Sequence, residues 1–196
     1  MKKKNGASGG KIVIIAVVLV ALVVGYYFYI NHKVKEAREE QVQVTVVQNV
    51  LMRDMERNYP STPKEVVRYF CEITQCLYNE DYTEEELTQL SEKIQEIYDD
   101  ELIENKTQEQ YLKDLKSEIV DRKKNKYTIS GYEISPSTDV KTFTKDGYTC
   151  ARLYATFRIR QEGKTTDSME EFILRQDEEE HWKIYGWEAV DDNAQG

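Results

Sequence analysis

The spacing of hydrophobic residues changes once along this chain, at about residue 126. Between residues 62 and 124, apolar side chains recur every three or four positions, which predicts amphipathic helices. Three threonines, Thr62, Thr83 and Thr107, each stand three positions before a Glu or Gln, which is typical of a helix N-terminus. The pattern therefore predicts a helix after each of these residues, the first of them over 63–79.

Beyond residue 126 the period shortens to two, which predicts β-strands. The turn sequences Asp146-Gly147 and Glu162-Gly163 separate consecutive strands. The predicted strands cover residues 127–134, 140–144, 148–161, 168–176 and 181–188. Helices followed by antiparallel strands indicate an α+β fold, in which several helices pack on one face of a curved antiparallel sheet.

The turn of the longest hairpin predicts its register. If the loop comprises residues 162–163 alone, Leu153 faces Phe172 on the apolar side of the sheet. The same register turns Glu170 inward, where it is a candidate ligand-binding acid with a raised pKa. A loop one residue longer turns Glu171 inward instead. The alternative for Glu170 is that this end of the sheet is open to water and the carboxylate is merely solvated.

An apolar run near the N-terminus begins at Ile12, ends at Ile30 and contains no charged residue. At about 1.5 Å per residue, a helix of this length covers roughly 28 Å, close to the hydrocarbon thickness of a bilayer. A cleaved signal peptide is the alternative, but bulky residues follow the run where cleavage needs small ones. A buried core helix is disfavoured because no face of the run is polar. The run therefore predicts an uncleaved transmembrane anchor.

The position of this anchor divides the chain into five predicted segments. They are a cytoplasmic tail (1–11), the transmembrane anchor (12–30), a juxtamembrane helical stalk (31–61), an α+β domain (62–188) and a flexible tail (189–196). Four lysines precede the anchor and basic residues also follow it, so the positive-inside rule favours a cytoplasmic N-terminus by a small margin. We expect a single-pass protein of the cell membrane whose C-terminal domain is extracytoplasmic. The stalk either pairs with a second copy or packs on its own domain.

The chain carries 27 Lys and Arg against 36 Asp and Glu, for a net charge of −9. Its first 35 residues contain basic but no acidic side chains, so the remainder is more acidic than the whole. An acidic domain repels phosphate backbones. Nucleic acid is therefore excluded as an expected partner.

Cysteine and histidine often bind metals or take part in catalysis, but here they do not occur at the spacing of a known site. Cys71, Cys76 and Cys150 lack the spacing of a metal site and are predicted to be buried thiols, with a disulfide from Cys150 to one of the others as the alternative. His32 and His181 have no nucleophile or metal ligand at a recognisable spacing. The sequence predicts no catalytic residue, no metal and no cofactor.

Aromatic and basic side chains on the outer face of the predicted sheet form a candidate interface. These residue types are enriched where proteins bind partners. The candidate residues are Arg152, Tyr154, Arg158, Tyr185 and Trp187. The alternative for Trp187 is a bulge at Gly186 that turns its ring inward.

The order of elements resembles the cystatin-like α+β cone of nuclear-transport-factor-2-like proteins. The similarity rests on PKEVVRYFCEITQCLYNEDYTEEELTQL and on the strand-rich half ending in HWKIYGWE, and it covers residues 63–188. The chain departs from that pattern by placing four predicted helices before the sheet and none between its first strands. Residues 36–188 are also similar to an uncharacterised family of single-pass bacterial membrane proteins, which implies no known activity.

From these observations we rank three candidate functions in order of preference. The first is a membrane-anchored extracytoplasmic interaction or assembly domain that self-associates or binds an envelope protein through its outer sheet face. The second is a small-ligand pocket with Glu170 as its polar anchor. An enzyme of the isomerase or dehydratase type ranks third because the sequence has no catalytic constellation, and fold resemblance alone decides no function.

Overall fold

The computed structural model describes residues 45–190, which form five helices followed by a five-stranded antiparallel sheet. The helices are α1 (Val46–Leu51), α2 (Pro63–Asn79), α3 (Glu84–Gln95), α4 (Asp100–Glu104) and α5 (Gln108–Lys124). The strands are β1 (Thr128–Ile134), β2 (Lys141–Lys145), β3 (Tyr148–Gln161), β4 (Lys164–Gln176) and β5 (Trp182–Ala189). The predicted α+β class is confirmed.

Several predictions fall on the remaining residues. The cytoplasmic tail, the transmembrane run from Ile12 to Ile30, the first part of the stalk and residues 191–196 lie outside the described part of the chain. Within residues 45–190, no helix is both long enough and apolar enough to cross a membrane. In the described part of the stalk, Val47 and Val50 of α1 are buried in the core of the domain.

The long helices begin where the sequence predicts them to begin. The hydroxyls of Thr62, Thr83 and Thr107 each accept a hydrogen bond of 3.2 Å from the backbone N–H three residues later. Each bond satisfies one of the donors that a helix start leaves free. Asp99 caps the short helix α4 in a similar way. That helix was not predicted because its five residues are too few to show a period.

The sheet is built around β3. One edge of β3 pairs with β4 along its length, and the other edge is shared by β1 and β2. Leu153 faces Phe172 in the pairing of β3 with β4, as the two-residue turn predicts. The turn residues Glu162 and Gly163 have φ angles of 47° and 80°, which suit the tight turns that match strand twist. The predicted register is therefore confirmed, and β5 completes the sheet beyond β4.

The inner face of the sheet faces the helices, and its residues Ala151, Leu153 and Ala155 are fully buried. Helix α2 supplies much of the opposing surface, through Val66, Val67, Tyr69, Phe70, Cys71, Ile73, Cys76 and Leu77. Because side chains alternate along β3, every second residue of its central part is apolar and is removed from water. This burial is the main source of stability in such a layer.

The three cysteines are buried free thiols, as the first of the two alternatives predicts. Burial raises the pKa of the Cys76 thiol to about 11 and raises that of Cys71 further. Both thiols therefore stay protonated at neutral pH and behave as small apolar side chains.

Two edge strands of the sheet, β5 and β1, have main-chain groups that are bound by segments from the helical half. At β5, the N–H of Asp99 donates to the carbonyl of Ile184, and the N–H of Ile184 donates to the carbonyl of Ile97, at 2.9 and 2.8 Å. At β1, the Asn79 side chain accepts from the N–H of Ile129 and donates to its carbonyl, at 2.9 and 2.8 Å. These contacts fasten the helices to the sheet and leave a space between them.

Candidate functional site

A cavity of about 390 Å³ lies between the helices and the inner face of the sheet. We call it the aromatic cavity because seven aromatic rings line it. Its aromatic lining residues are Phe70, Tyr78, Tyr98, Tyr111, Tyr127, Phe157 and Trp187. These come from α2, α5, two inner strand positions and the connections at residues 98 and 127, so the site is assembled from both halves of the domain.

One part of the cavity wall is formed by a cluster of rings. Phe70 lies 5.0 Å from Trp187 and 5.2 Å from Phe172, measured between ring centroids. The Tyr98 ring lies 5.5 Å from that of Trp187. Distances in this range are favourable for aromatic pairs, so the cluster holds the Trp187 ring in place.

Trp187 reaches this cluster because β5 contains a bulge. Ile173 pairs with Gly186 and Leu174 pairs with Ile184, so Tyr185 is an extra residue without a partner on β4. One extra residue reverses the face on which every later side chain lies. Trp187 consequently lies opposite Phe172 on the inner face, as the bulge alternative predicts, and not beside Tyr185 on the outer face.

The mouth of the cavity carries two ion pairs. The Lys106 ammonium lies 2.6 Å from the Asp114 carboxylate. Glu118 accepts a 2.6 Å hydrogen bond from the Tyr78 hydroxyl and lies 3.5 Å from the Arg122 guanidinium. The four charged side chains are partly exposed, so this rim faces solvent.

Arg122 also lies against two aromatic rings of the rim. Its guanidinium carbon is 5.6 Å from the centroid of Tyr78 and 5.3 Å from that of Tyr127. Guanidinium groups are attracted to ring faces at such distances. Arg122 is therefore held by three neighbours on the helical side of the cavity.

Glu170 is turned inward, as predicted, and lies half-buried in the wall of the cavity. It pairs across the sheet with Ala155 on one side and Ala189 on the other. Burial raises the pKa of the Glu170 carboxyl above its ordinary value, and the nearby Arg122 opposes this effect. The carboxylate is thus neither fully solvated nor sealed in the core.

Three tyrosines of the cavity are neutral donors and acceptors. Burial raises the pKa of Tyr78, Tyr98 and Tyr111 above the ordinary value for a phenol. At neutral pH these hydroxyls keep their protons. Besides the two ion pairs of its mouth, the cavity therefore offers aromatic surface, neutral hydroxyls and the Glu170 carboxylate to a ligand.

The other candidate residues lie on the outer face, away from the cavity. The Tyr154 hydroxyl donates to Glu171 at 2.6 Å, and the Arg152 guanidinium lies 3.3 Å from the same carboxylate. Arg158 lies 3.3 Å from Asp167. The fourth, Tyr185, donates to Glu101 at 3.1 Å. The structure therefore places these four residues on one face and Trp187 on the other.

Within the described part of the chain, no group of three or more His, Cys, Asp or Glu side chains is arranged to hold a metal ion. His181 lies near Asp177 and Glu179 in an exposed turn, 3.7 and 3.5 Å away.

Sequence reasoning missed most of the cavity wall. Tyr78, Tyr98 and the pair of Glu118 with Arg122 were not among the candidates, because they come from three segments that are far apart in sequence. The one available signal was Glu170, a carboxylate at a position where the strand pattern requires an apolar side chain.

The fold and the site together define an α+β domain with a partly open, aromatic-lined internal cavity. The chain belongs to a family described as a domain of unknown function, DUF6715, which matches residues 1–187. No curated protein matches the chain.

Proposed function

We propose that this domain binds a small organic ligand in the aromatic cavity. The observation that carries the proposal is the combination of an open space of about 390 Å³, seven lining rings and a half-buried carboxylate. Small-molecule sites occupy roughly 300–1,000 Å³ and are mainly apolar with a few placed polar groups. The similarity to nuclear-transport-factor-2-like proteins supports the proposal, because it implies helices that enclose a cavity against one sheet face.

Filling the cavity should abolish binding. Ser168 lines the cavity, whereas Thr156 pairs with Met169 on the opposite face of the sheet. Ser168→Phe and Thr156→Phe therefore add the same ring to the two faces. We expect compounds that stabilise the native chain to lose their effect in Ser168→Phe and to keep it in Thr156→Phe.

The measurement is the melting temperature of the full-length chain in detergent, across a library of small metabolites. A ligand at about 100 times its Kd adds about 2.7 kcal/mol to the free energy of unfolding. For a domain of this size, that raises Tm by about 5–10 °C. A library without any stabilising compound, or stabilisation that persists in Ser168→Phe, would contradict the proposal.

A second proposal is a membrane-tethered, extracytoplasmic assembly role for the outer face. The apolar run from Ile12 to Ile30 supports the tether, and the exposed Tyr and Arg side chains of β3 and β5 support the interface. We propose that the chain spans the cell membrane once, with its N-terminus in the cytoplasm. Such a position would present the domain to partners or ligands outside the cell.

The double substitution Tyr154→Ala with Tyr185→Ala should reduce assembly of the full-length chain. Both hydroxyls bind carboxylates on the outer face, so removing them leaves Glu171 and Glu101 without these donors. The measurement is co-purification of two differently tagged copies and of envelope proteins, with Thr156→Ala as control. Unchanged recovery, or protection of the domain from protease added to intact cells, counts against this proposal.

A further inference from the structure

The charges inside the aromatic cavity do not balance. Five charged side chains line it, and four of them pair with each other: Lys106 with Asp114, and Arg122 with Glu118. The fifth is Glu170, whose carboxylate has no hydrogen bond or ion pair to any residue between 45 and 190. The cavity therefore holds one carboxylate that has no direct partner among the described residues.

The sheet around Glu170 keeps that carboxylate open. Its neighbours across both adjacent strands are Ala155 and Ala189, whose methyl groups are too short to cover it. Two positions before it on the same face stands Ser168, which is also small and lines the cavity. Glu170 therefore lies among small side chains, in a recess of the cavity wall.

Aromatic rings also line the cavity that contains Glu170. Trp187 lines it and keeps 39% of its surface exposed, although its ring packs on Phe70 and Tyr98. An indole ring is the strongest of the aromatic side chains at attracting a cation to its face. Its exposed surface is therefore suited to contact a bound group.

We propose that the ligand of the aromatic cavity is a small organic cation, an apolar or aromatic body that carries a protonated amine. The ammonium group binds Glu170, and the body packs against the rings. This inference rests on the ligand-binding function proposed above and specifies the charge of the ligand. Anions are disfavoured because both cationic side chains of the cavity are already paired with carboxylates.

The groups that face Glu170 predict a pH dependence of binding. Arg122 lowers the pKa of Glu170 and Glu118 raises it, while burial raises it most. Tyr78 and Cys71 of α2 stay protonated, because burial raises the pKa of each. The other titratable residues lining the cavity are Tyr98, Lys106, Tyr111, Asp114 and Tyr127. Since an amine binds the ionised carboxyl, its affinity should fall as pH is lowered through the pKa of Glu170.

The test uses three compounds with one body and different head groups. They are 2-phenylethylamine, 2-phenylethanol and phenylacetate, which present a positive, a neutral and a negative group. Titration calorimetry of the full-length chain in detergent, against a detergent blank, gives the affinity of each. We expect the amine to bind about tenfold or more tightly than the alcohol, because a charged hydrogen bond contributes roughly 1.5–3 kcal/mol. Phenylacetate should bind most weakly.

Substitution of Glu170 separates this inference from the proposed function. Glu170→Gln should remove the preference for the amine and its pH dependence, whereas Glu170→Asp should retain part of both. Because burial disfavours the charged form of Glu170, the Gln variant should melt no lower than the native chain at neutral pH.

Equal affinity for amine and alcohol, abolished in both cases by Ser168→Phe, would overturn the cation inference and leave ligand binding intact. An amine preference that survives in Glu170→Gln would also overturn the inference. Failure of all three compounds to bind would overturn it too, while the metabolite screen would still decide the proposed function.

Discussion

Replacing Phe172 by Ala is expected to lower the free energy of unfolding by about 3–5 kcal/mol, the usual loss for a large aromatic in a core. Phe172 is fully buried in β4, between Leu153 on β3 and Trp187 on β5. Its ring meets that of Phe70 edge to face at 5.2 Å. Truncation therefore removes one aromatic contact between α2 and the sheet, together with the packing of Phe172 against its neighbours on β3 and β5. Since domains are stable by only about 5–15 kcal/mol, this is a large share.

Denaturant unfolding of the full-length chain measures this loss, followed by fluorescence or circular dichroism. Phe143→Ala is the matched control, because Phe143 lies on β2 and is only half-buried. We expect the control to change stability by less than about 1 kcal/mol. Similar losses in the two variants would show that Phe172 is not the centre of the core.

Replacing Asp99 by Ala is expected to cost about 3–5 kcal/mol, as the removal of one member of a buried ion pair generally does. The Asp99 carboxylate accepts two hydrogen bonds from the Arg175 guanidinium, at 2.8 and 2.5 Å. The two side chains are 5% and 14% exposed. The Arg175 guanidinium also lies 4.3 Å from the ring centroid of Tyr148 and 4.9 Å from that of Tyr185. Loss of Asp99 leaves this charge poorly paired and uncaps α4.

Glu101→Ala is the internal control, since Glu101 binds the same guanidinium at 2.8 Å but is largely exposed. It should cost much less, because water replaces an exposed carboxylate with little penalty. The double variant Asp99→Ala with Arg175→Met should lose less free energy of unfolding than the two single variants lose together. Urea unfolding of the native chain and these four variants, including Arg175→Met alone, checks this, and equal losses for Asp99→Ala and Glu101→Ala would refute the assignment.

The central hairpin shows what the sequence was able to predict. The two-residue turn at 162–163 and the alternation along β3 together allow one register, and that register turns Glu170 inward. The start of β4 was predicted four residues late. Residues 164–167 are exposed on both faces, so no alternation of apolar and polar residues marks them as a strand.

The cavity was much less predictable, for two physical reasons. The bulge at Tyr185 adds one residue without disturbing the hydrophobicity of β5, and only Gly186 hinted at it. The tyrosines of the wall come from segments that meet through helix packing, which no local spacing encodes. Glu170 was predicted because a strand has a strict two-residue period; Tyr98 was missed because it lies in a connection.

The contacts at the two outer strands have a consequence for behaviour at high protein concentration. Free main-chain groups at the rim of a sheet recruit strands from other molecules and can seed fibrils. Here the rim at Ile184 is occupied by residues 97–99, and Asn79 holds both main-chain groups of Ile129. On β2, Lys141 and Lys145 add charge that opposes such stacking. The native domain is thereby protected at these positions against strand-by-strand polymerisation.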